Sequence, residues 1–293
     1  MRCTFKMARQ VIITLPVYRF PLTDNEKISV RHLLHYLGDY DLTLIAPRTL
    51  DISDPLLRSL PVTRFDDEYF TGIAGYNKLM LSRGFYDTFK AYEYILIYQL
   101  DCLVFSKDLK SWCEKGWDYV GAPWFKGYTD DTSDGFWAVG NGGLSLRRVS
   151  AFRQVLRSRR LLASPIELGW NTRPFPRLPG LRFLVRVLKT VLHACGYRNT
   201  MHYFVRKYDQ YEDIFWSFHA QRAVPGFKIP TPQEALPFAF EFAPRYCFEK
   251  NGRRLPFACH AWHKMDAEFW KASLIQETES KGMVSGGNKN SAA

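Results

Sequence analysis

The segment YEYILIYQLDCLVF (92–105) constrains this chain most. A continuous apolar run of this length, without alternation, reads as a strand buried on both faces. That is the environment of a parallel sheet covered by helices on either side. The strand is predicted over 94–100, and a lone acid, Asp101, stands where it stops. Open α/β sheets bind ligands at the carboxyl ends of their strands. About forty residues on, VGNGGLSLR (139–147) sets glycines at 140, 142 and 143 ahead of an alternating strand. Glycine removes side chains where something must approach the backbone closely. Together the two segments suggest a polar ligand, with or without a metal, at the lip of an α/β sheet.

The rest of the N-terminal half agrees. QVIITLP (10–16) is a short buried strand. Thr23-Asp24-Asn25-Glu26 offers helix-start chemistry for a helix reaching about residue 37, and DLTLIAP (41–47) is a second strand. Residues 73–90 read as largely helical. This strand–helix rhythm implies a parallel, doubly wound sheet. Beyond it, 145–158 passes from strand to helix, 171–180 is irregular because of its three prolines, and 181–195 is a sharply amphipathic helix. Helices are expected at 208–223 and 265–276, a short strand near 237–242, and a loop through 256–264. Residues 281–293 read as a disordered tail by composition. The expected organisation is one domain over 8–280, carrying a basic insert at 151–208.

Charge is concentrated. Residues 151–208 hold twelve Lys/Arg against one acid, Glu167, a surplus that equals the net +11 of the whole chain. A patch of this kind points to an anionic surface or ligand. It lacks nucleic-acid recognition motifs, so no nucleic-acid partner is expected. Arg182, Arg186 and Lys189 recur on one side of the 181–195 helix, opposite Leu181, Leu184, Leu188, Val191 and Leu192. These cations are the candidates for an anionic membrane face, and the alternative is a solvated basic side on a core helix. No run is long and apolar enough to span a bilayer, and the first ten residues lack the apolar stretch of a signal peptide. The six cysteines show no CxxC spacing, so free thiols in a reducing cytoplasm are expected.

Several residues can carry chemistry. Asp101 can ligate a hard cation or simply cap a turn. His260 and His263, in PFACHAWHK, can meet it across a site, although for His263 an interfacial histidine bonded to backbone is the preferred reading. Glu212-Asp213 opens a helix; one carboxylate can act as a general base, or the pair can serve only the helix dipole. The glycine loop can offer N–H groups to a sugar or phosphate. Trp124 can stack on a sugar ring or belong to the core.

The segments 73–105, WDYVGAPWF (117–125), VGNGGLSLR (139–147), YEDIFW (211–216) and FACHAW (257–262), in this order, resemble a poorly characterised family, a domain of unknown function whose members are expected to be GT-A-fold glycosyltransferases. The resemblance covers roughly residues 8–270. It implies a mixed, mostly parallel sheet flanked by helices, and a nucleotide-sugar donor. Pro16, Val17 and Tyr18 would border the base, and Asn77 and Lys78 would lie near the ribose or diphosphate. Asn141, Gly142 and Gly143 would line the donor sugar or the acceptor pocket. Asp101 would stand where such folds place a metal-binding Asp-x-Asp signature, completed by His260, and Asp213 or Glu212 would be the base. A Mn2+ or Mg2+ ion is therefore implied. The signature here is Asp101-Cys102-Leu103, so the second carboxylate is missing, and either fewer protein ligands or basic side chains must compensate.

The activity expected is transfer of a sugar from a UDP-sugar to a hydroxyl on a glycan or lipid-linked glycan, with inversion. The place expected is the cytoplasm, peripheral on the inner face of a membrane. A nucleotidyltransferase on a similar sheet, or a non-catalytic glycan- or membrane-binding module, stays open at this point.

Overall fold

The computed structural model describes residues 9–170 and 179–275. Most of the irregular stretch predicted at 171–180, and the whole of the tail at 281–293, lie outside these residues. So does Cys3. The other five cysteines are free thiols, four of them buried.

The strands are β1 (Arg9–Pro16), β2 (Asp41–Pro47), β3 (Val62–Phe65), β4 (Tyr92–Tyr98), β5 (Leu103–Val104), β6 (Tyr119–Val120), β7 (Ala122–Phe125), β8 (Phe136–Gly140), β9 (Leu144–Arg148), β10 (Ala239–Phe240) and β11 (Ala258–Cys259). The helices that matter here are α1 (Asp24–Leu37), α2 (Gly72–Met80), α3 (Arg83–Thr88), α4 (Leu109–Glu114), α5 (Val149–Arg157), α6 (Pro165–Trp170), α7 (Pro179–Ala194), α8 (Met201–Lys207) and α9 (Glu212–Phe218). The main sheet runs β3-β2-β1-β4-β9-β6. β3, β2, β1 and β4 are mutually parallel, and β9 is antiparallel to both β4 and β6. The fold is therefore mixed α/β around a mostly parallel sheet.

Alternation along the central strands shows why their sequences are apolar throughout. Val11, Ile13 and Leu15 of β1, with Tyr94, Leu96 and Tyr98 of β4, pack on one face under Val30, Leu33 and Leu37 of α1. Ile12, Ile95 and Ile97 point to the other face, against Phe85 and Tyr86 of α3, Phe152 and Val155 of α5, and Phe215 and Trp216 of α9. Both faces are dry, and the threonines that remain in β1 and β2, Thr14 and Thr43, give their hydroxyls to the Leu96 and Pro61 carbonyls. α1 starts where its sequence says. The Thr23 hydroxyl accepts the Glu26 N–H at 3.3 Å, and the Glu26 carboxylate accepts the Thr23 N–H at 2.7 Å, a reciprocal capping box.

Five expected elements are shorter or broken. The helix predicted over 73–90 is two helices, because Ser82 accepts the Phe85 N–H and opens a new one. The strand predicted over 94–100 stops at Tyr98, where the Cys102 N–H turns back to the Gln99 carbonyl at 3.1 Å; Asp101 sits in that turn. Of 208–223 only Glu212–Phe218 and Ala220–Ala223 are helical, and of 237–242 only β10 is strand. In the described part of 265–276, the α-helix is confined to Ala267–Trp270.

The charge-defined segment at 151–208 begins inside α5, whose Phe152, Val155 and Leu156 are core residues. After it come α6, α7 and α8. Arg182, Arg186 and Lys189 of α7 are half-buried, whereas the leucines opposite them are exposed. The picture of a solvated basic face on a core-packed helix is thus reversed, because α7 rests on α6 through its polar side. No helix among the described residues is long and apolar enough to cross a membrane.

Candidate active site

The carboxyl ends of β1 and β4 open into a cleft of about 690 Å³. Pro16 and Tyr18 border it after β1, and Gln99, Leu100 and Asp101 after β4. Asn77 on α2, the Asn141–Gly143 loop, Glu212 and Asp213 of α9, Glu241, His260, His263 and Lys264 complete the parts that bear chemistry. Residues from four of the five family-like segments thus meet at one edge of the sheet; the exception is 117–125, whose Trp124 stays outside.

Asp101 and His260 form its floor. Asp101 Oδ1 and His260 Nε2 are 3.3 Å apart, yet both atoms are buried and neither has a hydrogen-bond partner. The outer atoms of both groups are occupied. Lys264 donates to Asp101 Oδ2 at 2.8 Å, and His260 Nδ1 faces Glu241 Oε1 at 2.7 Å. Burial opposes charge on both groups. His260 and Lys264 nevertheless hold the Asp101 carboxyl well below the usual carboxylate range. Asp101 and Glu241 likewise push His260 up to about 10. A proton held there offsets the two carboxylates, and a metal ion bound at Nε2 would displace it.

Two inward-facing orphan atoms test whether a divalent cation fits. Ligand bonds of about 2.0–2.2 Å place neighbouring donors on one ion near 3 Å from each other, so this oxygen and nitrogen are suitably spaced. The second carboxylate on the histidine is the outer-shell partner that metal-bound imidazoles usually have. Cys102 Sγ lies within 4.8 Å of both donors. Burial pushes its thiol well up, and it donates to the Gly143 carbonyl, so it offers a hard cation nothing. The residues present fit a cation with two protein ligands. Leu103, at the place of the missing acid, is fully buried in a third apolar cluster with Cys259 and Trp262.

The two acids have different partners. Arg147 of β9 is fully buried and grips Glu212 with both ends of its fork, at 3.0 and 2.7 Å. It also donates to the Tyr86 and Ser145 hydroxyls. Both Glu212 oxygens face the buried guanidinium, and burial pushes its carboxyl up to about 7, so the Arg147 pair makes Glu212 a structural partner before it is a candidate base. Among the described residues Asp213 forms no ion pair. Its Oδ2 accepts the Gly142 N–H at 3.0 Å and its Oδ1 the Ile214 N–H at 2.8 Å. Burial, with Glu241 nearby, raises its pKa above the ordinary aspartate value. Raised basicity in a cleft is what a general base needs.

The glycine loop does not present its donors to a ligand. Asn141 Oδ1 accepts the N–H groups of Gly143 and Leu144, at 2.7 and 2.8 Å, and Gly142 N–H goes to Asp213. A Cβ on Gly143 would strike the His260 ring, and one on Gly140 would strike Trp124. The glycines make room for the protein's own side chains. Asn141 itself is buried, with its backbone on the Tyr119 hydroxyl.

Other predicted positions separate cleanly. Tyr18 is 56% exposed at the cleft mouth, beside Ile73 and Tyr211 at 63% and 56%. Val17 is wholly buried in the core, so its side chain borders no base. Lys78 is exposed and lies outside the cleft lining. Asn77 spends its amide on α9, accepting the Glu212 N–H at 3.3 Å and donating to the Gln210 carbonyl at 3.4 Å. Trp124 is 2% exposed, against Gly140 and Tyr128, and offers no face to a sugar. His263 lines the cleft with its Nδ1 buried and unpartnered, not bonded to backbone, and burial lowers its pKa.

Residues 59–260 match the family described as a protein of unknown function, DUF5672. The chain belongs to that family. No curated protein matches it. Among solved structures, a glycosyltransferase involved in glycosylation of the major capsid of the virus PBCV-1 is similar at 10% identity. That match covers 90% of this chain and 98% of the other, with a TM-score of 0.38. Mouse xyloside xylosyltransferase 1 is similar at 12% identity, over 86% and 97% of the two chains, with a TM-score of 0.41. The galactosyltransferase LgtC, solved with donor and acceptor sugar analogues, is similar at 15% identity, over 92% and 99%, with a TM-score of 0.40.

In this member of the family, reasoning from sequence missed Arg147 and Glu241. The pair of Arg147 and Glu212 carries a prediction. Glu212→Ala leaves a guanidinium buried without its counter-charge, a loss of about 3–5 kcal/mol. Urea denaturation should show it as a large drop in midpoint. An unchanged midpoint would return Glu212 to the list of reactive groups.

Proposed function

We propose that the protein is a glycosyltransferase with a GT-A-like active site. It moves a sugar from a nucleotide diphosphate donor, a UDP-sugar, to a hydroxyl on a glycan or lipid-linked glycan. The observation that carries this reading is the orphaned pair of Asp101 Oδ1 and His260 Nε2, at the strand-end floor of a cleft that also holds Asp213. The sheet order, with four parallel strands followed by an antiparallel β9, supports it by placing that floor at a parallel-strand edge.

The charge of the cleft supports the same reading. Glu26, Asp101, Glu212, Asp213 and Glu241 line it, against Arg19 and Lys264, and each of these two cations is already paired with an acid. An acid-rich cleft repels a diphosphate unless a cation intervenes. Asp101 and His260 are the residues that would hold Mn2+ or Mg2+, which when bound offsets the charge of the leaving diphosphate. Tyr18, Tyr211 and Ile73 give the mouth apolar surface on which a base or sugar ring can lie. Asp213 takes the proton from the acceptor hydroxyl as that oxygen attacks the anomeric carbon. Its two backbone N–H bonds fix the carboxylate and leave lone pairs free toward the cleft. A single displacement of this kind inverts the anomeric centre.

A panel of nucleotide sugars, incubated with and without manganese, tests the proposal. Metal-dependent release of nucleoside diphosphate from one donor is the expected result. Pyrophosphate release from a nucleoside triphosphate would make the protein a nucleotidyltransferase. Neither product, with binding alone, would make it a glycan-binding module.

A further inference from the structure

The cleft leaves the basic segment unexplained, and the structure shows there a surface that water alone does not suit. An amphipathic helix ordinarily buries its apolar side and wets its cations. In α7 the order is inverted. Leu181, Phe183, Leu184, Leu188, Val191 and Leu192 are between 40% and 63% exposed. The helix rests on α6 through its polar side. Thr190 packs on Gly169, and the Arg186 guanidinium lies 5.0 Å above the Trp170 ring. On α6, Ile166 and Trp170 are themselves 63% and 45% exposed and add to the apolar area. Contiguous exposed apolar surface of this kind marks an interaction site.

Charge decides the partner. The segment that carries α7 holds the chain's entire surplus of positive charge. Arg159, Arg160, Arg206 and Lys207 are exposed, and among the described residues none of them forms an ion pair. A second copy of this chain would bring the same positive charge to the contact. What covers the surface must be both apolar and anionic. We propose that α6 and α7 dock the protein on an anionic lipid bilayer. α7 lies in the plane of the interface, with its leucines and Phe183 among the upper acyl chains and the surrounding cations at the headgroups. Its sixteen residues are too few to cross the hydrocarbon core. This docking surface lies outside the cleft and stands whether or not the transferase reading does.

Flotation of the full chain with vesicles of phosphatidylcholine alone, or with added phosphatidylserine, tests the proposal. The wild type should float with the anionic vesicles and release in high salt. A Leu184→Glu/Leu188→Glu variant should lose at least ~10-fold of that binding. Both positions are exposed, so its melting temperature should not change, and any release of nucleotide from a donor should persist in solution. Absent flotation of the wild type, equal flotation of the two proteins, or binding indifferent to phosphatidylserine would each overturn the proposal. So would sedimentation showing a wild-type dimer that the variant dissolves without any vesicle binding, which would make this face a contact between copies.

Discussion

Asp101→Asn should abolish sugar transfer, with a loss of at least ~100-fold, while the protein stays folded. The substitution keeps the size of the side chain and removes its charge. Two kinds of partner depend on that charge: Lys264 on Oδ2 and, at Oδ1, the proton on His260 or the cation that would displace it. The turn itself is held by backbone. Cys102 N–H reaches the Gln99 carbonyl at 3.1 Å and Trp262 N–H the Asp101 carbonyl at 3.2 Å, and neither bond involves the carboxylate. Manganese binding, followed by titration calorimetry, should fall with turnover, and the far-ultraviolet circular dichroism spectrum should not change. Turnover near the wild-type rate would remove Asp101 from the chemistry and the cation with it.

How much of this could be read from sequence depended on whether the cause was local. The central strands were legible because burial on both faces leaves an uninterrupted apolar run, and α1 because its capping box is written in four consecutive residues. β3 was not legible. It is an edge strand with alternating half-exposed residues, and its sequence VTRF carries little apolar signal. The strand boundary at Tyr98 is set by a backbone turn that no side chain announces. The glycines of 140–143 are places of close approach, as their sequence predicts, and Gly142 and Gly143 line the cleft. The close neighbours are Trp124 and His260, brought in from elsewhere in the fold. Arg147 shows the same limit more sharply. In sequence it is the first of two arginines closing a strand, and it looks like a solvated cation. Only pairing with Glu212, 65 residues away, makes it a buried one. Sequence thus gave the acids and histidines of the site as separate candidates. The division between a Glu212 paired with Arg147 and an Asp213 held by the Gly142 and Ile214 N–H groups comes from folded-state partners that one sequence does not reveal.

That division yields the second large effect. Asp213→Asn should lower turnover by roughly 10²–10⁴-fold and leave donor affinity nearly unchanged, since general-base catalysis contributes only in the transition state. Asparagine can still accept the Gly142 and Ile214 N–H groups through one oxygen, so the loop and the start of α9 should hold. The pH profile gives an independent readout. Burial and the nearby Glu241 raise the Asp213 pKa, so its proton is lost at higher pH than from an ordinary aspartate. The base form is present above that raised value and disappears as pH falls through it. The acid limb of turnover should therefore lie above the usual aspartate range, near 3.8, and should vanish from the residual activity of the variant. Measuring turnover and donor affinity of both proteins across pH 4–8 separates the outcomes. If donor affinity collapses with turnover, Asp213 holds the donor. If turnover persists with its acid limb intact, the proton goes to another group, and His263, half-buried in the same cleft with an unpartnered Nδ1, is the next to replace.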